Sequence, residues 1–244
     1  MIKFFRQIRY KLMSENKTSR YFKYAIGEII LVVIGILIAV QINNWNENRV
    51  NSNKETIVLA NIHKEFKQNK KQLDSVVKQH KIVYSNCKKI ISLFPIKKKP
   101  KQSVLDSLSV QLFWSYGGTT FNPSQTSINA LSSTSSFDII KNKTLRDLLI
   151  SWNDLIIDYQ EEEIQSRTFM RNIYDPYMSK HFDFNFNFKD PRNDFNALQT
   201  LEFEYLVKNT HDLVGQILVT SGELQIVQGT LDKIIELSKP NKQE

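Results

Sequence analysis

Four histidines, one cysteine and a run of three glutamates are the residues here whose types could hold a metal or move a proton: His63, His80, His181, His211, Cys87, and Glu161, Glu162 and Glu163. A metal site needs several such side chains converging, and the histidines stand far apart in the chain. His63 and His80 fall on one expected helix seventeen residues apart, too far to share an ion. The three glutamates are consecutive, and consecutive helical positions point in different directions, so they read as a solvated stretch. Cys87 is the only cysteine, which rules out an intramolecular disulfide. There is no glycine-rich phosphate loop, paired-cysteine knuckle or HExxH motif, and the serines lack a nucleophile-elbow context. These observations lead to an expectation of no enzyme activity, no cofactor and no metal.

The elements around these residues carry more information. Ala25 to Ile42 reads AIGEIILVVIGILIAVQI, of which twelve residues are Ile, Leu or Val. Eighteen helical residues reach roughly 27 Å, close to a hydrocarbon core of about 30 Å. Insertion gains roughly 5 kcal/mol from those side chains, against about 3 kcal/mol for a carboxylate even at mid-membrane. Glu28 lies nearer the first end and costs less. A signal peptide would have a shorter apolar run and a small-x-small cleavage site; neither is present. Residues 24–42 are therefore read as a transmembrane helix.

Charge sets its direction. The net charge of +8 suggests nucleic acid until it is divided. Lys3, Arg6, Arg9, Lys11, Lys17, Arg20 and Lys23 against Glu15 give residues 1–23 a net of +6, and the other 221 residues carry only +2. That places the N-terminal tail in the cytoplasm and the remainder outside, with no nucleic-acid partner. Tyr21, Phe22 and Tyr24 would sit at one interface and Trp45 at the other. In the tail, Phe5, Ile8 and Leu12 share a helical face that either lies on the inner leaflet or belongs to a disordered segment. Glu28, Gly35 and Ala39, spaced by seven and four, share a face of the span. Small residues there permit close helix packing; the other reading has Glu28 reaching back to the headgroups.

Residues 43–55, with six Asn, read as a polar juxtamembrane linker, and residues 56–244 as the domain. Leu59, Ile62, Phe66, Asn69, Leu73, Val76, His80, Val83, Cys87, Ile90 and Phe94 then recur at gaps of three and four, the seam of a long amphipathic helix. On that seam His80 reads as a packed core histidine and Asn69 as a register-fixing residue. Pro95 ends the helix, and the lysine run of PIKKKPKQS reads as a solvated loop. A short helix is expected over Val104–Trp114, a break at Tyr116, Gly117, Gly118 and Thr119, and another short helix after Pro123. The next long helix begins near Thr144, with Asp147 completing a capping box, and weakens at Asp175 and Pro176. In HFDFNFNF, residues 181–188, the phenylalanines alternate. The segment is either a short strand or, preferably, a connector covering the bundle end. A final helix spans about Asn196 to Ser238, with Gly215, Gly222 and Gly229 at seven-residue intervals. The fold class is all-α: one transmembrane helix followed by an antiparallel bundle of long helices.

The residues MIKFFRQIRYKLMSENK, followed by YAIGEIILVVIGILIAVQINNWNE, resemble the opening of a bacterial family of single-pass membrane proteins known only as a domain of unknown function. A weaker likeness continues at SINAL (Ser127–Leu131) and NKTLRDLL (Asn142–Leu149). There the family tends to place a glycine after a serine, where this chain has Ser135 and Ser136. The remainder is similar only in length and helical character. The resemblance implies anchoring in the bacterial inner membrane and carries no activity. The bilayer and a protein partner or second copy are the expected partners. The first functional expectation is an envelope-anchored interaction or assembly module. The alternative is an extracytoplasmic ligand-sensing domain signalling through a separate membrane protein, with a pocket near Trp114, Tyr116 and the Phe-rich segment. A complete receptor in one chain is not expected from a cytoplasmic tail of about 23 residues.

Overall fold

The computed structural model describes residues 6, 7, 10 and 18–240. The reading of Phe5, Ile8 and Leu12 as one face lies outside the described residues, as do the side chains of Tyr21 and Tyr24. Every regular element among the described residues is helical; no strand occurs. The chain divides into two units, residues 1–55 and 56–244.

Helix α1 (Thr18–Ile91) begins in the first unit. Its Ile, Leu and Val residues from Ile26 to Ile42 are 48–69% exposed, so no part of the described protein covers them. That portion is long and apolar enough to cross a membrane. The expected linker at 43–55 is instead helical. Asparagine lowers helix propensity by only a few tenths of a kcal/mol, whereas starting a fresh helix incurs a nucleation cost. Local contacts help: the Arg49 guanidinium lies 5.6 Å from the Trp45 ring centroid and donates to Asn46 at 3.4 Å.

In the second unit, α1 from residue 56 to Ile91 buries the expected seam. Ile62, Phe66, Asn69, Leu73, Val76, His80, Val83, Cys87 and Ile90 are all buried, while Leu59 and Phe94, at the two ends, are half-buried. The helix stops at Ile91, within one turn of Pro95, because the residue before proline avoids helical backbone. Helix α2 (Gln102–Phe113) buries Leu105, Leu108 and Leu112. Helix α3 (Thr126–Ser133) buries Ile128 and Leu131. In the turn after it, Ser135 takes a left-handed φ of 51°.

Helix α4 (Lys143–Phe169) starts earlier than the capping-box pattern suggested. Its cap is Asn142, whose Oδ1 accepts from the Leu145 N–H at 3.0 Å. An asparagine just outside the first turn satisfies that orphan donor directly. Beyond Phe169 the helix does not weaken but widens through a π-turn (Met170–Tyr174) into α5 (Asp175–His181), with Pro176 directly after the π-turn.

The long C-terminal helix is interrupted. A 3-10 turn (Phe195–Gln199) leads into α6 (Leu201–Gly215), capped by Thr200 Oγ1. A second π-turn (Gln216–Thr220) and Gly222, with φ 81°, separate it from α7 (Glu223–Leu237). The three evenly spaced glycines therefore play different parts. A Cβ on Gly215 would come 3.3 Å from Tyr84, Gly222 provides left-handed backbone, and Gly229 faces open space.

Helix α1 runs antiparallel to α6 and α7. His63 meets the Ile235 carbonyl at 3.0 Å, Tyr84 stacks on His211 at 4.1 Å, and Phe94 meets Phe203 at 5.7 Å. Helix α1 runs parallel to α4, since Phe66 meets Trp152 at 5.0 Å and His80 meets Glu163 at 2.9 Å. The bundle is thus not antiparallel throughout: the excursion through α2 and α3 brings the chain back to its starting end. One core joins these helices around Trp152, Tyr159, Tyr174, Phe66, Phe121 and Phe203.

Candidate functional site

Two places gather polar side chains within the apolar bundle. The first is a set of ties. Glu163 is fully buried; its Oε1 accepts from His80 Nε2 at 2.9 Å and its Oε2 from the Phe121 N–H at 2.7 Å. Gln160 Nε2 donates to the Phe121 carbonyl at 2.6 Å. From α1, Asn69 holds both backbone groups of Ser124 at 2.9 Å. Glu65 accepts from Ser124 Oγ at 2.7 Å and from the Ser127 N–H at 2.9 Å. Helix α3 has no side-chain cap of its own, so Glu65 caps it from across the core. These contacts pin residues 121–127 to α1 and α4.

The run of three glutamates therefore divides. Glu161 is exposed, Glu162 half-buried and Glu163 buried, so the solvated reading fails at the third. With consecutive positions about 100° apart on a helix, one of three must approach the core. His80 is a core histidine, but one bonded to a carboxylate rather than simply packed. Neither partner reaches solvent, so the pair offers no chemistry to a substrate.

The second place is a cavity of about 410 Å³ between α1, the end of α2, α5 and the Phe-rich segment. Pockets for small molecules are commonly about 300–1,000 Å³. Ile82, Val83 and Met178 form apolar wall. Aromatic rings form the rest. Phe113 makes edge contacts with Trp114 at 5.5 Å and Phe184 at 5.9 Å, and Tyr116 lies 5.9 Å from Phe186. Gln79, Ser179, Asp175 and Asp183 supply polar groups. Trp114 and Phe184 remain 46% and 81% exposed, unusual for large apolar rings beside a core.

The Phe-rich segment is a connector, as preferred over a strand. Phe182, Phe186 and Phe188 are buried, Phe184 faces outward, and Phe186 takes a left-handed φ of 53°. The Phe186 carbonyl accepts from Ser109 Oγ at 2.6 Å. Asp183 organises the loop by accepting from the Asn185 and Asn187 N–H groups at 3.1 and 2.9 Å and from Asn193 Nδ2 at 2.5 Å. Burial opposes its charge, but these hydrogen bonds outweigh burial and hold its carboxyl below the usual range. Burial, and then the neighbouring Asp175 carboxylate, raise the Tyr116 phenol well above its ordinary value.

Residues 28–146 match the model of a family of unknown function, DUF6090. The matched stretch starts inside the apolar segment and agrees with the resemblance read from the opening residues to a domain of unknown function. It contains the α1 and α2 walls of the cavity and ends before α5 and the Phe-rich segment. No curated protein and no solved structure matches the chain.

Of the residues singled out from sequence, Trp114, Tyr116 and the Phe-rich segment meet at this cavity. The histidines do not converge: His63 bonds to Ile235, His80 to Glu163, His181 lies 3.5 Å from Asp194, and His211 stacks on Tyr84. Among the described residues no three His, Cys, Asp or Glu side chains converge as a metal site would require. Glu28, Gly35 and Ala39 lie on the apolar part of α1, where a Cβ at Gly35 would meet nothing within 4 Å. Asp175, Asp183 and Gln79 were missed, since single polar residues carry no periodic signal.

Proposed function

We propose that the protein is a membrane-anchored, extracytoplasmic ligand-binding module that takes a small, largely apolar molecule into the aromatic cavity and signals through a separate membrane protein. The observation that carries this reading is the cavity itself, about 410 Å³, with aromatic rings left exposed at its mouth. Burying such rings would cover Phe184 or Trp114 only when a partner or ligand is present. The basic tail and apolar span support anchoring in the bacterial inner membrane with the N-terminus inside. The reading assigns no catalysis.

The test uses the full chain in maltoside micelles, titrated with small aromatic and aliphatic solutes and followed by saturation-transfer NMR. Ser179→Trp, at an exposed lining position, should block the cavity without disturbing the core. Saturable binding that this variant removes is the expected result; binding unchanged in the variant would place the ligand elsewhere and overturn the reading. Protease added to intact spheroplasts should digest the helical domain; protection until the membrane is opened would reverse the orientation.

Assembly is a second reading, favoured by a different observation. Ile150, Ile157 and Ile164 are 57%, 50% and 46% exposed on α4 and repeat every seven residues, the spacing of a coiled-coil seam. If they form an interface, Ile157→Glu should dissociate the oligomer in sedimentation measurements. A wild-type monomer would end this second reading.

A further inference from the structure

The cavity's charge narrows the class of molecule it takes, an argument that rests on the ligand-binding reading above. Its charged lining residues are both acidic, Asp175 and Asp183, and no Lys, Arg or His lines it. Asp183 is committed to the loop through three donors, so its negative charge persists in the folded protein. Asp175, by contrast, stands exposed in the first turn of α5, where its one neighbouring donor is the Tyr116 hydroxyl of the same cavity wall. The same cavity is lined by the rings of Trp114, Phe113 and Phe184, whose faces carry negative potential and attract cations within about 6 Å. An anion entering here would meet carboxylates and ring faces of the same sign. A neutral solute would remove water from the carboxylates without compensating them. From this juxtaposition we infer that the occupant is an organic cation with an apolar body, an amine or quaternary ammonium on a hydrocarbon or aromatic frame.

Asp175 attracts the cationic head, the rings stack on or surround it, and Met178, Ile82 and Val83 take the apolar part. The experiment titrates the full chain in maltoside micelles with benzyltrimethylammonium, benzyl alcohol and benzenesulfonate, three soluble probes sharing one ring and differing in charge. The cation should bind about tenfold more tightly than the neutral probe, a difference that a single cation–ring contact with a nearby carboxylate can provide. The sulfonate should bind weakest. Asp175→Asn should remove most of the cation's advantage at unchanged melting temperature, whereas Asp183→Asn would also loosen the loop and is less informative. Equal binding of all three probes, abolished by Ser179→Trp, would overturn the cation inference and leave the cavity reading standing. Preference for the sulfonate would do the same. Binding of none of the three would remove both.

Discussion

Glu163→Ala should be among the most damaging single substitutions in the helical domain. The alanine leaves two buried donors, His80 Nε2 and the Phe121 N–H, without the acceptors they hold at 2.9 and 2.7 Å. Each stranded donor costs about 1–3 kcal/mol, so about 4 kcal/mol in total is the central expectation. That is a large share of the ~5–15 kcal/mol that holds a typical domain together. For a domain of this size, each kcal/mol shifts the melting temperature by about 2–4 °C, giving a fall of roughly 8–16 °C. Near-UV circular dichroism of the full chain in nonionic detergent is the assay, because it follows the packing of the buried Trp152 rather than overall helicity. Glu161→Ala, on the same helix but exposed, should stay within about 0.5 kcal/mol of wild type. A fall of less than about 2 °C for Glu163→Ala would mean that this carboxylate is not what fastens residues 121–127 to the bundle.

Leu73 and Leu224 are buried at 1% and 4% exposure on antiparallel helices; Leu73→Ala or Leu224→Ala should each cost about 2–5 kcal/mol, and Lys71→Ala almost nothing, in the same melting assay. Burial first, then Glu162, Asp158 and Glu161, raise the Glu223 carboxyl to about 7. The folded state thus holds this proton more tightly than the unfolded chain, so its contribution is present below about pH 4.5 and lost as pH rises to about 7. Glu223→Gln should therefore raise the melting temperature at pH 8 and flatten its decline between pH 5 and pH 8; an unchanged slope would contradict this. Burial also pushes the Cys87 thiol up to about 12, so the native protein should resist a maleimide reagent until it unfolds, and rapid labelling would show that this part of α1 opens readily.

What could be read from the sequence follows the physics of each signal. The α1 seam was visible because burial along a helix repeats every three to four residues, and a run of eleven such positions is hard to produce otherwise. Trp114, Tyr116 and the phenylalanines of residues 182–188 were visible as aromatics beside helix breaks. The continuation of α1 through its asparagines was not, because cooperativity with both flanks overrides weak local preference. The interruption at Gln216–Gly222 was hidden because the three-and-four spacing carried on across it, and two of the three glycines there are helical. Glu163 read as part of a solvated stretch, and nothing in the sequence singled out Glu65. Their burial depends on backbone donors near Phe121 and Ser127, some 40 to 60 residues away in the chain, and periodicity within one helix says nothing about such partners.

The π-turn at Met170–Tyr174 acts as a phase shifter. Its wider hydrogen-bonded ring accommodates about one residue more than an α-helical turn would, so everything downstream is rotated relative to α4. The face that α5 offers, with Asp175, Met178 and Ser179 lining the cavity, holds only in that rotated setting. Loss of one residue, such as the exposed Asn172, would let the turn relax to α-helical pitch and swing α5 by about 100°, while α4 kept its own packing. A single codon deletion or insertion at this point is thus a route by which related chains could exchange the cavity's lining wholesale without rebuilding the bundle that supports it.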